Sequence, residues 1–343
     1  MKSTSKATIS DVAELAGVSI KTVSRVVNRE PNVRPATKVK VEDAIQRLHY
    51  HPNLSARNLA STRARVIVLV YDDPAEYEAP SSGFIIKMQQ GALAACKQSG
   101  YDLLIHPCHY RHANVEQELE ALIDRTRPSG VILAAPLSNM PKLVNAIRDT
   151  GVPFVPLAQG LDESNEFTVA TNDRAFSAEM TRYLASLGHK RIAFVCGNPM
   201  HAAVSKRFLG YQDGLKECGI AFDDELVANG DNSIGSGESC GGALLELANP
   251  PTAIFAANDD MAAGILREAS RRGVRIPDEL SVAGCDDISL AQQIYPSLTT
   301  VRQPLFEMAE AAARVLTRDK DEKGILTVPA ELKVRESTGP APT

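Results

Sequence analysis

Side chains that could contact nucleic acid are concentrated near the start of the chain, in the stretch GVSIKTVSRVVN, Gly17 to Asn28. Lysine and arginine can donate hydrogen bonds to guanine O6 and N7, and isoleucine can contact the methyl group of thymine. Hydroxyl and amide side chains can bond phosphate oxygens. We predict base contacts from Ile20, Lys21 and Arg25. The other residues with predicted DNA contacts in this stretch are Ser19, Thr22, Ser24 and Asn28.

Two short helices would have to position these side chains. Thr8 and Asp11 predict a capping box at the start of the first helix, and apolar residues recur at helical spacing after it. Gly17 suits the left-handed position that ends a helix, and Ser19 is a favourable N-cap for the next helix. The buried face of the second helix would consist of its valines, Val23, Val26 and Val27.

Two helices joined by a tight glycine turn predict a helix-turn-helix, in which the second helix meets base edges in the major groove. The alternative is an ordinary surface hairpin of helices. Charge favours the first interpretation. Residues 1–65 contain twelve Lys and Arg against five Asp and Glu, a net charge of +7 in a chain of net charge −5, so the remainder carries −12. A basic head on an acidic body indicates nucleic-acid contact.

A third helix is predicted from about Ala36 to Leu48, and His51-Pro52 would end it. Residues 53–61 follow, and they could form a helix of about two turns, which is too short to be stable alone in water. The apolar residues of the third helix that we expect to pack are Val39, Val41, Ala44, Ile45 and Leu48.

The rest of the chain alternates short β-rich runs with helical segments. VIVLVY, DLLIH and GVILAA read as buried strands in the first half, and RIAFVCG, PTAIFAAN and ELSVAGCDD repeat the pattern in the second. Strand–helix alternation predicts parallel sheets covered on both faces. We therefore expect a two-lobed α/β core similar to a periplasmic sugar-binding protein.

Ligands of such sheets bind beyond the carboxyl ends of the strands. Asp72, Asn258 and Asp286 directly follow predicted strands, and Arg207 begins a helix after another. Carboxylate, amide and guanidinium groups that converge on one cleft suit a polyhydroxylated sugar. For Asp259 and Asp287, which come next in the chain, we expect helix capping instead of ligand contact. Phe84 and Tyr110 could stack on a sugar or pack in a core.

Three stretches resemble the LacI/GalR family of bacterial transcription regulators: DVAELAGVSIKTVSRVVN, RPATKVKVEDAIQRLHYHPNLSARNLAS and ANDDMAAGILREASRRGVRIPDELSVAGCDDI. The resemblance covers about residues 8–337. It implies that residues 53–60 form a hinge helix with DNA contacts from Asn53, Ala56 and Arg57. Leu59 falls at the position that wedges into the minor groove and bends the duplex. The alternative for Leu59 is packing against the core.

The resemblance also implies an effector site. Arg207, Asn258 and Asp286 match positions that hold effector hydroxyls, and Asp72 matches a pocket position in the first lobe. Three positions depart from the family pattern, because Asn232 and Cys285 replace common aromatic residues and Ala158 replaces a frequent aspartate. The identity of the sugar therefore does not carry over. The effector-site residues we predict are Asp72, Phe84, Tyr110, Arg207, Asn258 and Asp286.

The expected fold is a small all-α helix-turn-helix head plus an α/β two-lobed, periplasmic-binding-protein-like core with parallel sheets. The predicted domains are residues 1–50 for the helix-turn-helix, 51–64 for the hinge helix and linker, and 65–343 for the effector-binding core. Within the core, lobe one would take about 65–162 and 290–320, and lobe two 163–289 and 321–338. The C-terminal region has no leucine heptads, which predicts a homodimer without a further helical bundle.

Other classes of protein fit the sequence less well. No run of about 18 apolar residues exists, and the N-terminal MKSTSKAT lacks an apolar signal region, so we expect a cytoplasmic, nucleoid-associated bacterial protein instead of an exported solute receptor. The six cysteines form no CxxC pair, and we expect neither metal nor cofactor. GESCG, Gly237 to Gly241, matches a hydrolase nucleophile motif, but no core strand precedes it, so Ser239 is not expected to be a nucleophile in an enzyme. We expect a helix to begin at 236–238.

Overall fold

The computed structural model describes residues 7–27, 33–48, 50, 64–72, 83–158, 167–318 and 323–342. The chain forms two compact units, Met1–Ala64 and Arg65–Thr343. Among the described residues, the first unit is entirely helical and the second contains alternating helices and strands. No helix in the described ranges combines the length and the apolar character needed to cross a membrane.

The first unit contains α1 (Ile9–Ala16), α2 (Ile20–Val27) and α3 (Pro35–Arg47). The predicted capping box is present, since the amide of Thr8 donates to Asp11 Oδ2 at 2.7 Å and the amide of Asp11 donates to Thr8 Oγ1 at 3.4 Å. The bond from the Thr8 amide is the main cause that lowers the pKa of Asp11. Gly17 has φ 64°, the left-handed conformation that ends α1 and allows the tight turn.

Buried side chains from the three helices and Tyr50, which follows α3, meet in one small core; the helical members are Val12, Ala13, Val23, Val26, Val41 and Ala44. Ile45 and Leu48 pack against it as predicted, but Val39 does not, because its side chain is 65% exposed. Val39 lies two residues before Val41, a rotation of about 200° around the helix axis, so its side chain faces away from the side that α3 buries. Helix α3 begins at Pro35, a favourable first position because proline has no amide hydrogen to leave unbonded.

The first lobe of the second unit is built on a parallel sheet with strand order β2-β1-β3-β4. Its strands are β1 (Val66–Asp72), β2 (Asp102–Cys108), β3 (Gly130–Leu133) and β4 (Phe154–Pro156). Helix α4 (Gly83–Ser99) belongs to the core cluster on one face, and α5 (Val115–Thr126) and α6 (Pro141–Asp149) belong to the cluster on the other. Helix α12 (Leu305–Leu316) returns late in the chain to pack beside α4.

The second lobe has a parallel sheet with strand order β7-β6-β8-β9. Its strands are β6 (Ile192–Cys196), β7 (Val227–Asn229), β8 (Ala253–Ala256) and β9 (Ser281–Ala283). The associated helices are α7 (Asp173–Ser186), α8 (Ala202–Glu217), α9 (Ile234–Leu245), α10 (Asp259–Arg271) and α11 (Ser289–Gln293). Phe194 stacks on Tyr211 in its core, with ring centroids 5.1 Å apart.

Three of the remaining four described strands, β5 (Thr168–Thr171), β10 (Thr300–Arg302) and β11 (Ile325–Val328), lie in a different lobe from the one expected from the sequence, whereas β12 (Glu331–Lys333) lies in lobe two as expected. Strand β5 pairs in parallel with β11, and a bridge between Leu157 and Val169 places this pair next to β4 in lobe one. Strand β10 pairs with β12, and bridges to the end of β9 place these strands in lobe two. The crossing points were misplaced because strands of both lobes have the same apolar pattern.

We expect Gly91→Ala to destabilise lobe one. A Cβ atom at Gly91 would lie 2.0 Å from the backbone oxygen of Phe306, so α4 and α12 would have to separate. Overpacking of this kind costs about 1–3 kcal/mol. Calorimetric unfolding of the full-length chain measures the effect.

Gly235→Ala is the matched control, since a Cβ atom there meets nothing within 4 Å on helix α9. It should raise stability by roughly 0.5–1 kcal/mol because alanine is the better helix former. Equal effects of the two substitutions would contradict the close approach of α4 and α12.

Candidate DNA-binding surface and effector cleft

Helix α2 exposes one polar face and buries the opposite one. Ile20, Lys21 and Arg25 are exposed, whereas Val23 is fully buried. Exposing half of an isoleucine is unfavourable in water, since about 25 cal/mol is lost for each Å² of apolar surface that stays hydrated. An exposed isoleucine beside basic side chains is the arrangement expected of a surface that becomes buried against DNA.

The hydroxyl groups at the start of α2 are partly used within the helix. Ser19 Oγ accepts a hydrogen bond from the amide of Thr22 at 3.2 Å, and the two hydroxyls lie 2.9 Å apart. Ser19 is therefore the N-cap that the sequence predicted, and Ser24 is half-buried one turn later. A hydroxyl that caps a helix can still accept or donate a second bond.

Five of the predicted DNA contacts lie outside the described residues. They are Asn28, Asn53, Ala56, Arg57 and Leu59. Their roles stay predictions from the resemblance.

The candidate effector cleft is built from loops that follow the strands of both sheets. Lobe one contributes Asp72 at the end of β1 and His109 and Tyr110 after β2. Lobe two contributes residues after β6, β7, β8 and β9, at the carboxyl ends where α/β sheets bind their ligands. The polar residues concerned in lobe two are Asn198, His201, Arg207, Asn232, Asn258 and Asp286.

Arg207 is the central cation of this cluster. Its Nε donates to Asp173 Oδ1 at 2.9 Å, its Nη1 donates to the backbone oxygen of Ala257 at 2.6 Å, and Nη1 lies 3.9 Å from Asp286 Oδ1. Burial alone lowers the pKa of Arg207, but nearby acidic groups, including both carboxylates, outweigh it and raise the pKa above its ordinary value. The guanidinium is therefore charged and held in one orientation.

Asp173 was not among the predicted site residues. It is buried at the first position of α7, directly after β5, where its side chain also faces Lys206. Burial raises the pKa of Asp173, while Arg207 opposes that rise. The available signal was an aspartate at the carboxyl end of a strand, which is the rule that identified Asp72 and Asp286.

Asp286 has an unusual backbone conformation with φ 128°, and its neighbour Asp287 has φ 54°. Residues other than glycine seldom adopt such backbone angles, and strained residues cluster at functional sites. Gln303 Nε2 donates to Asp286 Oδ1. Burial raises the pKa of Asp286 to about 7, although Arg207 and Gln303 oppose the shift.

The expected capping roles of Asp259 and Asp287 are wrong. Asp259 accepts the amide of Ile288 at 3.0 Å and the hydroxyl of Thr300, so it ties loops together inside lobe two. Asp287 pairs with Arg302 and Arg335. A carboxylate that follows a strand can bond a neighbouring loop as readily as the helix after it, and only tertiary packing decides between them.

Asn258 is the residue that caps α10. Its Oδ1 accepts the amide of Met261 at 3.0 Å, and its Nδ2 donates to the backbone oxygen of Asn232 at 2.9 Å. Asn232 Oδ1 in turn accepts the amide of Asn198 at 3.2 Å. Three asparagines from the loops after β8, β7 and β6 thus form one continuous set of hydrogen bonds.

This set extends across the cleft to lobe one. Asn198 Nδ2 donates to the hydroxyl of Tyr110 at 3.0 Å, and Asp72 Oδ1 accepts the amide of Tyr110 at 3.2 Å. His109 Nδ1 lies 3.1 Å from the same Asp72 oxygen. A second bond between the lobes runs from Asn139 Nδ2 to the backbone oxygen of Met200 at 3.3 Å.

The two aromatic candidates both pack against core residues of lobe one. Phe84 is half-buried against the cluster that includes α4 and α12. Tyr110 is buried in the cluster on the opposite face of the sheet, and its hydroxyl also accepts a bond from Arg111 Nε at 2.9 Å. Contact of either ring with an effector stays a prediction.

His201 is a second polar residue that sequence reasoning did not identify. It precedes α8 and lies within electrostatic reach of Asp72 and Arg207. Burial lowers the pKa of His201 to about 4, although Asp72 opposes the shift, so the imidazole is neutral near pH 7. A neutral imidazole has one donor and one acceptor for hydroxyl groups.

Ser239 lies within α9, and its hydroxyl donates to the backbone oxygen of Gly235 at 3.1 Å. The helix begins at Ile234, slightly before the predicted start, because Ser233 caps it by accepting the amide of Ser236. GESCG therefore lies inside a helix and does not form the strand-to-helix turn that a nucleophile elbow requires. In the described part of the chain, no group of three or more acidic, histidine or cysteine side chains could hold a metal ion.

Known proteins match both units. Residues 8–53 match the family described as bacterial regulatory proteins, lacI family, and residues 181–338 match the periplasmic binding protein-like domain. Catabolite control protein A of Priestia megaterium is 33% identical over 96% of this chain and 99% of its own length. The transcriptional regulator GalR of Escherichia coli is 34% identical over 90% of this chain and 88% of its own.

Solved structures agree with these matches. The lac repressor dimer bound to operator and the anti-inducer ONPF has a TM-score of 0.81 at 27% identity, covering 98% of this chain and 100% of that chain. The complex of the transcriptional regulator CelR with cellobiose has a TM-score of 0.73 at 30% identity, covering 96% and 99%. The chain belongs to the LacI family of bacterial transcription regulators, as its sequence motifs indicated.

We expect Tyr110→Phe to loosen the contact between the lobes while leaving the fold intact. The change keeps the buried ring and removes the oxygen that accepts from Asn198, which leaves a buried amide unsatisfied at a cost of about 1–3 kcal/mol. Hydrogen exchange at the loops after β2 and β6 should become faster. Tyr295→Phe is the control, because that ring is 92% exposed. Unchanged exchange in Tyr110→Phe would show that this bond does not hold the lobes together.

Proposed function

We propose that the chain is a sequence-specific DNA-binding repressor of carbohydrate-utilisation genes whose operator affinity is controlled by a sugar in the cleft. The observation that carries this proposal is helix α2, which presents Ile20, Lys21 and Arg25 to solvent from a folded helix-turn-helix. The N-terminal part of such a helix reads bases in the major groove. Family membership supports the same role.

The effector is proposed to be a mono- or oligosaccharide. Arg207, Asp286 and His201 bring a guanidinium, a carboxylate and a neutral imidazole to one cleft, and each can bond hydroxyl groups. Asp72 and Tyr110 form the lobe-one side of this cleft. Asp72 contacts His109, and the hydroxyl of Tyr110 accepts a hydrogen bond from Asn198. The cellobiose complex of a relative that is 30% identical supports this ligand class.

The active form is proposed to be a homodimer in the bacterial cytoplasm, associated with the nucleoid. A dimer presents two recognition helices to neighbouring half-sites of a near-palindromic operator. The proposed path of control is the hinge segment, residues 51–64, with Leu59 at the operator centre. A shift of the lobes on effector binding would change operator affinity by a coupling free energy of about 1–3 kcal/mol.

A role in binding, instead of enzymatic turnover, is part of the same proposal. Ser239 is engaged within helix α9, and the polar groups of the cleft are mostly bonded to one another. Such a site can hold hydroxyl groups without an activated nucleophile. A cofactor is not part of the proposed mechanism.

Lys21→Ala should weaken binding to the specific operator by about 1–3 kcal/mol, because a lysine that reads a base edge contributes that much discrimination. The measurement is a selection of preferred sequences from random duplexes, followed by titration of wild type and variant. Lys97→Ala, an exposed lysine of the core unit, is the control and should leave the preference unchanged. If the variant Lys21→Ala selected the same bases at every position as wild type, Lys21 would not be a base reader.

Asp286→Asn should abolish the response to the effector sugar and leave operator binding intact. The substitution keeps the side-chain shape but removes the carboxylate that faces Arg207. The response is measured as the change in fluorescence anisotropy of labelled operator when sugar is added. Asp278→Asn, at an exposed position, is the control. A normal sugar response in Asp286→Asn would remove Asp286 from the effector site.

A further inference from the structure

The positive charge of Arg207 is already compensated within the protein. Asp173 accepts its Nε at 2.9 Å, the backbone oxygen of Ala257 accepts Nη1, and Asp286 lies 3.9 Å from Nη1. The side chains of Arg207 and Asp173 are only 8% and 5% exposed. A buried guanidinium needs such partners, because an unpaired charge inside a protein is very costly.

Among the described residues, Arg207 is the only buried lysine or arginine. His201 interacts electrostatically with Asp72 and Arg207, and burial lowers its pKa to about 4, so its imidazole is neutral near pH 7. His109 faces Asp72, Lys206 acts on Asp173, and Arg111 is exposed and donates to the hydroxyl of Tyr110.

An anionic ligand would therefore enter a cleft whose arginine is already paired with Asp173 and whose other acidic side chains include Asp72 and Asp286. Like charges brought together in a desolvated site are strongly unfavourable, and proteins use such repulsion to reject wrong partners. A neutral sugar avoids this repulsion, and an amino sugar would gain attraction from the same carboxylates.

We propose that the effector is a neutral or amine-bearing carbohydrate, and that Asp173 makes the cleft reject uronates and sugar phosphates by holding the guanidinium of Arg207. Asp173 is thus a specificity-determining residue that acts through Arg207. This inference rests on the proposed function, since it assumes that the cleft binds a carbohydrate.

The test compares matched ligands on the full-length protein by calorimetric titration. The neutral members are glucose, galactose and cellobiose, and the amine-bearing members are glucosamine and galactosamine. The anionic members are glucuronate, galacturonate, glucose 6-phosphate and cellobiose 6-phosphate. For each parent sugar that binds, we expect its anionic form to bind at least about tenfold more weakly.

The variant Asp173→Asn tests the role assigned to Asp173. It keeps a hydrogen-bond acceptor near Arg207 but removes the negative charge, so the preference for the neutral sugar over its uronate should fall by about tenfold or more. Asp213→Asn is the matched control, because Asp213 forms a similar pair with Arg174 but is only half-buried. That control should retain the wild-type preference.

The outcomes separate this inference from the proposed function. Binding of a uronate or phosphate as tightly as its neutral parent to wild type would overturn the inference while leaving a carbohydrate effector in place. An unchanged preference in folded Asp173→Asn would remove Asp173 as its cause. If no member of the panel bound, the proposed carbohydrate effector would fail and the inference would fall with it. The comparison on wild type decides the ligand class even if Asp173→Asn does not fold.

Discussion

The burial of the Arg207 guanidinium between two carboxylates is the constraint on which the organisation of the cleft depends. A charge at this depth is tolerated only with good partners, and removal of one partner of such a pair typically costs about 3–5 kcal/mol. Asp173 is the first residue of α7, Arg207 lies in α8 and Asp286 lies in the loop after β9. One ion cluster therefore holds two helices and a loop from distant parts of the sequence in a single arrangement.

Hydrogen bonds also connect the loops of lobe two with lobe one. Asn258, Asn232 and Asn198 connect the loops after β8, β7 and β6, and Asn198 reaches Tyr110 in the other lobe. Such networks are most useful when every member is satisfied, since a half-satisfied buried network is unfavourable. A ligand that changed one of these hydrogen bonds would therefore alter contacts in both lobes. An effector-controlled regulator needs such a connection.

Much of the fold could be predicted because local patterns and tertiary packing agree. The capping box of Thr8 and Asp11, the left-handed Gly17 and the buried Val23 follow from residue type and spacing alone. Site residues were harder to predict. Asp72, Arg207 and Asp286 were predicted from their positions after strands, and the same rule could have identified Asp173 after β5. His201 was not identified, because its residue type and position do not specify which partner it will meet in the folded protein.

The sequence by itself determined the helix-turn-helix, the alternating α/β core and the family, because these depend on short-range periodicity and on motifs within a few dozen residues. Tertiary structure alone decided which sheet each of β5, β10, β11 and β12 joins, and that Asp259 and Asp287 tie loops together instead of capping helices. It also decided that Arg207 is neutralised by Asp173. These outcomes depend on contacts between residues far apart in the chain, and the strength of such contacts is set by burial, which no local pattern specifies.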